Sequence, residues 1–409
     1  MISRSKTPFV STPFFRIAAI GIVMIALLIR VIFLIAPVKL DAADAQVRYD
    51  PIARNLLKGN GFSRSLSAPY TPTISSQPVY PLFLAFIYRI TNFNLRLVAV
   101  AQIVLELGAI LLLYLTAGLM GYSRQAKLMT VAVALLCPLL PRFSREILTE
   151  IVAVFFTTLF LYASVRAVVK PSLLHFAICG AAAGLCLLVR SDLLPLVVLL
   201  IFSIAFLSKN LRGILMLLAL LILTLVPWTI RNYVSLGMLY PLDETGSKTS
   251  LPYVRWLDTW MTSEKEERTY LHRAKPDPNV DYERLREEAI RQRPFHVYIV
   301  LPLIRLAKTW LNLPSKLPTS VHFFWMRLFV YAFLALSGAG LYFAWKSKRK
   351  IFLLLICLIA GRSVLPLISS VAVETRYLFE ALPACFLLAG HGLSCIAGRI
   401  SEPDRSAIV

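Results

Sequence analysis

The chain alternates between long apolar runs and short polar connections. An apolar run of about 18 residues or more is long enough to cross a bilayer as a helix. Such runs recur along the sequence, and the shorter ones fit if their helices extend or tilt. The pattern predicts an all-α integral membrane protein, a polytopic bundle of about ten transmembrane helices. The predicted spans are residues 15–36, 96–120, 128–140, 147–165, 173–189, 193–207, 214–228, 323–345, 351–367 and 378–397.

Basic residues in the short connections predict how the spans are oriented. Arg4, Lys6 and Arg16 accompany the first span, and the cluster at 346–350 follows the eighth. Because Lys and Arg accumulate in cytoplasmic loops, both termini are expected in the cytoplasm. The first apolar run is too long for a signal-peptide core and lacks a cleavage site, so it is expected to stay as a helix.

The two long polar stretches then fall on the outer face. The predicted organisation is an N-terminal transmembrane region over 1–228, an outer loop with an interfacial helix over 229–322, and a C-terminal transmembrane region over 323–409. The first region contains the other outer loop, residues 38–78. We find no internal repeat, and this asymmetry favours a reaction at the outer face over alternating access.

Composition agrees with a membrane protein and excludes other classes. Apolar residues make up 58% of the chain, above the usual share of a soluble domain. The net charge of +21 is dispersed among apolar spans, so it indicates orientation and anionic lipid rather than nucleic acid. The cysteines form no CxxC pair and the histidines no HxxxH pair, so neither a disulfide framework nor a zinc centre is expected.

The candidate chemistry lies in polar residues at the predicted outer ends of several helices. A charge at or within a membrane costs energy and often marks a functional site. A single such residue can equally extend its charged end to the headgroups. The convergence of several segments on one face favours function, and these segments are 40–61, 141–150, 190–192, 227–233 and 374–377.

Acidic residues supply candidates for a general base. A carboxylate beside a hydrophobic wall can have its pKa raised and accept a proton. Asp50 precedes Pro51 and suits a helix N-cap, so Asp44 is favoured over Asp50. Glu150 begins the fourth span, where it fits either function or the positive end of the helix dipole. Three outer aspartates, Asp41 included, could hold Mg²⁺ or Mn²⁺, but nothing else supports a metal, and none is expected.

Arginines at the same face indicate an anionic substrate. Arg142 and Arg145 share one helix face. Arg190 either pairs with an aspartate to hold its turn or serves the site. Arg231 lies among aromatic residues that suit either a membrane-interface belt or a phosphate site, and Arg376 opens the last span. Arginines facing carboxylates suggest a phosphate at headgroup level, as in a polyprenyl-phosphate sugar.

Six motifs resemble those of the GT-C superfamily of polyprenyl-phosphate-sugar-dependent glycosyltransferases, which includes the protein O-mannosyltransferases and the lipid A aminoarabinose transferases. They occur in order along most of the chain, at residues 44–63, 78–85, 148–150, 188–192, 227–233 and 375–377. The match of PWTIRNY at 227–233 is close. Asp44 stands five residues before Tyr49, where the family acid commonly stands four before, which leaves Asp41 as a rival.

The resemblance implies a GT-C-type bundle and inverting transfer of a sugar from a polyprenyl-phosphate carrier. Asp44 would take the proton of the acceptor hydroxyl, and Glu150 would orient Asp44 or the acceptor. Arg376 and Arg231 would stabilise the departing phosphate. Further candidates for the phosphate are Arg142, Arg145 and Tyr377, and the alternative site residues are Asp41, Asp50 and Arg190.

The resemblance also sets the expected surroundings of the protein. Its partners would be the lipid-linked sugar, membrane lipid, and a glycan, lipid or protein acceptor, with no cofactor and no nucleic acid. The outer loops contain no Asn-x-Ser/Thr acceptor, which fits a bacterial cytoplasmic membrane with the site on the periplasmic or extracellular side. The competing hypotheses are a transporter or flippase of lipid-linked sugars, which makes no glycosidic bond, and a non-catalytic scaffold.

Overall fold

The computed structural model describes residues 13–35, 45–242, 252–262, 277, 279–311, 321–368 and 375–397. In this part of the chain the structure is helical, and the extended pairing is a single bridge between Ser63 and Pro72. Seven of the described helices are long and apolar enough to cross a membrane, which confirms an all-α, multi-pass membrane protein.

The helices have the following bounds: α1 Pro13–Ile35, α2 Asp50–Leu57, α3 Val79–Thr91, α4 Leu95–Leu119, α5 Arg124–Leu136, α6 Leu139–Ser144, α7 Glu150–Val169, α8 Leu173–Val189, α9 Leu194–Ser208, α10 Leu211–Leu236, α11 Pro252–Leu257, α12 Tyr282–Gln292, α13 Leu301–Leu311, α14 Val321–Lys346, α15 Leu353–Ile368 and α16 Leu382–Ile396. Short 3₁₀ turns occur at Ser191–Leu193, Lys350–Phe352 and Thr375–Ala381. Single π-helical turns occur at Ala45–Tyr49 and His296–Val300.

Two predicted spans, 128–140 and 214–228, differ most clearly from the described helices. The predicted span 128–140 is divided, because the residue before Pro138, Cys137, is extended and ends α5. The short helix α6 then leads to the start of α7. The predicted span 214–228 continues to Leu236, although Pro227 lies inside it, so the residues of the PWTIRNY motif are helical.

Small residues bring the helices into close contact. A Cβ added at Gly180 in α8 would lie 2.1 Å from the Leu217 carbonyl oxygen in α10. One added at Gly340 in α14 would lie 1.9 Å from the Leu388 carbonyl oxygen in α16. Without a hydrophobic force between helices in lipid, such close backbone approach supplies much of their association. These glycines therefore set the packing of two helix pairs.

A buried polar network positions the segment before α7. Arg30 of α1 pairs with Glu106 of α4, and both side chains are almost fully buried. The Ser144 hydroxyl donates to Glu106 Oε2 at 2.8 Å. The Gln102 amide donates to the carbonyls of Ser144 and Glu146, each at 2.8 Å. Since α7 begins just after these carbonyls, the network fixes where its first residue lies.

Candidate active site

A polar cavity of about 90 Å³ lies where five segments of the chain meet. These segments are the π-helical turn before α2, the loop before α3, the start of α7, the turn between α8 and α9, and the 3₁₀ turn before α16. The charged residues that line it are Arg48, Glu150, Arg190, Asp192 and Arg376. Segments far apart in sequence thus bring both signs of charge to one cavity.

Glu150 is the first residue of α7 and is 1% exposed. Its Oε1 lies 3.5 Å from Nη1 of Arg190 and 3.9 Å from Nη1 of Arg376. Its other oxygen, Oε2, is buried and has no hydrogen-bond partner among the described residues. Glu150 lines the cavity, and a carboxylate oxygen without a partner has the capacity to accept a hydrogen bond.

Arg190 is the centre of the charged cluster. Its guanidinium forms a two-pronged contact with Asp192, at 3.0 and 2.8 Å, and donates to the Thr149 hydroxyl at 3.3 Å. Burial alone would lower the pKa of Arg190. The carboxylates of Asp192, Glu380 and Glu150 outweigh burial and hold that pKa well above its ordinary value. Arg190 therefore pairs with Asp192 within its own turn and also lines the cavity. The structural and the functional interpretation of this residue are thus compatible.

Arg362 and Glu380 complete the cluster, and the sequence analysis did not single them out. Nε of Arg362 donates to Glu380 at 2.8 Å, and Nη2 donates to Asp192 at 3.0 Å. The side chains of Arg362 and Glu380 are both 0% exposed. Each is an ionisable residue inside a predicted span, at 351–367 and 378–397. Such residues are functional candidates by their position alone, so this signal could have found them.

Three guanidinium groups surround the ring of Tyr377. The guanidinium carbons of Arg190 and Arg376 each lie 5.2 Å from the ring centre, and that of Arg362 lies 5.8 Å from it. Cations near an aromatic face are attracted by its quadrupole. The ring of Tyr377 thus lies beside two arginines that line the cavity and beside Arg362, which does not.

The structure places Arg231 away from this cavity. Its guanidinium donates to the carbonyls of Thr73 and Phe62, each at 2.9 Å. It lies 5.1 Å from the Phe62 ring and 5.0 Å from the Trp228 ring. These contacts join the loop before α3 to the C-terminal part of α10, so the observed partners of Arg231 are within the protein.

Arg142 and Arg145 do not line the cavity either. Arg142 lies 3.8 Å from Glu146 and is almost buried, and this burial lowers its pKa. The guanidinium of Arg145 lies 5.9 Å from the ring of Phe33 in α1. Their spacing does place them near one another, but the observed contacts join α6 to its neighbours.

Asp50 has structural partners, and the expected N-cap was wrong. The π-helical turn runs directly into α2, so Asp50 is the first helical residue, and Tyr49 is the cap without a side-chain bond. The Asp50 carboxylate accepts from the Tyr88 hydroxyl at 2.8 Å and from Arg54 at 2.7 Å. Burial raises the pKa of Tyr88, and the Asp50 charge raises it further.

Asp44 and Asp41 lie outside the described residues. The described chain resumes at Ala45, and Arg48 and Tyr49, just downstream, line the cavity. Among the residues that the structure describes, no group of three or more His, Cys, Asp or Glu side chains could hold a metal ion.

Comparison with known proteins confirms the resemblance inferred from the motifs. The chain is a multi-pass membrane protein, and its residues 72–230 match the family model of dolichyl-phosphate-mannose-protein mannosyltransferases. This GT-C family match covers Glu150, Arg190 and Asp192 of the cavity. No curated protein matches the chain significantly.

Two solved structures share an overall likeness with the chain. One is ArnT from Cupriavidus metallidurans bound to undecaprenyl phosphate, at 14% identity and a TM-score of 0.39, covering 91% of this chain and 77% of that one. The other is ArnT from the same organism in the apo state, at 13% identity and a TM-score of 0.39, covering 92% and 78%.

Proposed function

We propose that the protein is an inverting glycosyltransferase that moves a sugar from a polyprenyl-phosphate carrier to an acceptor hydroxyl at the outer face of the membrane. One observation carries the proposal: Glu150, Arg190 and Arg376, from three separate GT-C-like motifs, line a single cavity. Structural packing alone would not require three such motifs to share one space. The match to a mannosyltransferase family supports the same class of reaction.

Arg376 is proposed to bind the phosphate of the donor. The leaving phosphate gains charge as the sugar departs, so a fixed guanidinium stabilises the transition state more than the ground state. Arg376 lines the cavity, and so does Arg48. Arg231, Arg142 and Arg145 do not line it, so they are not assigned this role.

Asp44 is proposed as the general base, on the strength of the motif and of its place four residues before Arg48. The acceptor oxygen would attack the anomeric carbon as the bond from that carbon to the phosphate oxygen breaks. The hydroxyl proton passes to Asp44, and polyprenyl phosphate leaves with the bonding electron pair. Attack from the face opposite the leaving group inverts the anomeric centre.

Glu150 is proposed to orient the acceptor. Its Oε1 is turned towards two arginines, and Oε2 has no hydrogen-bond partner among the described residues. A hydroxyl that donates to Oε2 would be held for attack. This positioning lowers the entropy that the reaction must lose in reaching its transition state.

The distribution of basic residues supports a site at the outer face. Glu150 lies at the cavity end of α7, and Arg166 and Lys170 lie at the other end of that helix. Lys and Arg concentrate on the cytoplasmic side of membrane proteins. The cavity would therefore face the periplasm or the exterior.

The test is release of polyprenyl phosphate by purified protein in lipid, given polyprenyl-phosphate sugars and candidate acceptors and followed by mass spectrometry. Release by the unaltered protein that disappears in D44N is the expected result. D41N is the matched control and should retain release; the reverse pattern would assign the base to Asp41. Donor binding without release from any sugar would refute the transferase and favour a flippase, which lipid translocation would then measure.

A further inference from the structure

We propose that Arg362 and Glu380 are positioning residues that set the electrostatic potential of the cavity. Arg362 offsets the charge of two carboxylates, which would otherwise make the potential at the cavity more negative and repel an anion. This inference rests on the proposed phosphate-binding function. It concerns two buried residues that do not line the cavity themselves.

The hydrogen bonds of Arg362 connect three segments of the chain. It extends from α15, and its Nε, Nη1 and Nη2 donate to the Glu380 carboxylate, the Asp192 carbonyl and the Asp192 carboxylate. The distances are 2.8, 3.3 and 3.0 Å. A guanidinium with all three nitrogens engaged inside the protein has little capacity left for a ligand. Arg362 would therefore influence a ligand by offsetting the charges of Asp192 and Glu380, and not by direct contact.

The charges of the cluster balance. Among the described residues, three carboxylates face three guanidinium groups, so their formal charges cancel; the members are Glu150, Asp192, Glu380, Arg190, Arg362 and Arg376. Arg48 at the cavity wall adds a further positive charge. Without Arg362, the six-residue cluster would carry one net negative charge beside the site proposed for a phosphate.

Burial makes this balance effective over distance. Arg362 and Glu380 are fully buried, so water screens their charges weakly. At an effective dielectric constant of about 20, a unit charge about 10 Å away changes the affinity for an anion by about tenfold or somewhat more. Removing either charge should therefore be measurable in binding of a phosphate.

The sign of the effect separates a charge role from a purely structural one. If the pair only holds segments together, then loss of either partner disturbs the cavity and weakens binding. If the pair sets the potential, then loss of Arg362 weakens binding of an anion and loss of Glu380 strengthens it. Loss of both should restore the original affinity, because the net charge of the cluster returns to zero.

The experiment measures binding of farnesyl phosphate and of uncharged farnesol by the purified full-length protein in detergent. Relative to the unaltered protein, R362M should raise the Kd for farnesyl phosphate about tenfold, E380Q should lower it about tenfold, and R362M/E380Q should return it to near its starting value. Farnesol binding should stay the same throughout.

The outcomes separate the inference from the proposed function. Equal binding of farnesyl phosphate and farnesol by the unaltered protein would refute the phosphate site and this inference with it. Preference for the phosphate, with E380Q binding more weakly than the unaltered protein, would overturn the inference alone. E380Q keeps an amide oxygen that can accept a hydrogen bond from Arg362. The affinity of this variant for farnesyl phosphate therefore tests the inference even if R362M does not fold.

Discussion

Nη1 of Arg376 lies 3.9 Å from Oε1 of Glu150, and this pair joins the beginning of the last helical segment to the beginning of α7. This separation is longer than a hydrogen bond, so the two groups attract each other without forming one. A ligand that is anionic on one side and carries a hydroxyl on the other could contact both. Each residue is proposed to have its own role in transfer, and the two roles can be tested separately.

Replacing Glu150 with Gln should reduce transfer by about a hundredfold, because a neutral amide accepts a hydrogen bond from the acceptor hydroxyl more weakly than Oε2 of a carboxylate. The loss should fall on kcat, whereas donor affinity should rise, because the substitution removes a carboxylate that lies 3.9 Å from Arg376. Rates of polyprenyl phosphate release at saturating donor would measure it. The matched control is E146Q, since Glu146 belongs to the same segment but pairs with Arg142 outside the cavity. An equal loss in both variants would show that the effect is not specific to Glu150.

Arg376 and Arg231 should respond differently to the same substitution. R376Q should weaken donor binding about tenfold to a hundredfold, because it removes a charged contact to phosphate. R231Q should leave donor affinity nearly unchanged and destabilise the protein by about 2 kcal/mol, since its two carbonyl contacts are lost. Donor titration together with thermal unfolding in detergent would separate the two. A larger loss of donor affinity in R231Q than in R376Q would exchange their roles.

Helix packing at α14 should tolerate alanine at one glycine but not at another. A Cβ at Gly340 would meet the Leu388 carbonyl at 1.9 Å, so G340A should destabilise the fold by about 1–3 kcal/mol. A Cβ at Gly338, in the same helix, would meet nothing within 4 Å, so G338A should be neutral. The yield of monodisperse protein and the unfolding temperature would measure both. Similar stability in the two variants would show that α16 can move aside.

Asp50 should matter for stability rather than for chemistry. D50N should weaken the bonds to Tyr88 and Arg54 and destabilise the α2–α3 contact by about 1–2 kcal/mol. The kcat of the folded fraction should stay within about twofold of the original, in contrast to D44N. Y88F, which removes one of the same bonds from the other side, is the matched variant. A loss of kcat in D50N that Y88F does not share would return Asp50 to the list of candidate bases.

Much of the fold could be predicted from the sequence because a bilayer imposes strong local rules. Helices in lipid must satisfy their own backbone groups and carry long apolar runs, so hydropathy locates them. Helix α8 begins and ends where the apolar run predicts it, at Leu173 and Val189. Boundaries shifted where proline or a continuing helix overrode hydropathy, as at Cys137 and beyond Trp228.

The candidate site divides between what the sequence determined and what only the tertiary structure decided. The sequence alone indicated Glu150, Arg190, Arg376 and Tyr377, because charge beside an apolar span is conspicuous and the motifs resemble a known family. It could not separate Arg376 from Arg231, since both are arginines among aromatic residues at a helix end. Whether such a side chain contacts the protein's own carbonyls or lines a cavity depends on how the helices rotate and pack. That packing also joined Arg362 to Glu380, because the close approach of the helices sets which buried charges meet.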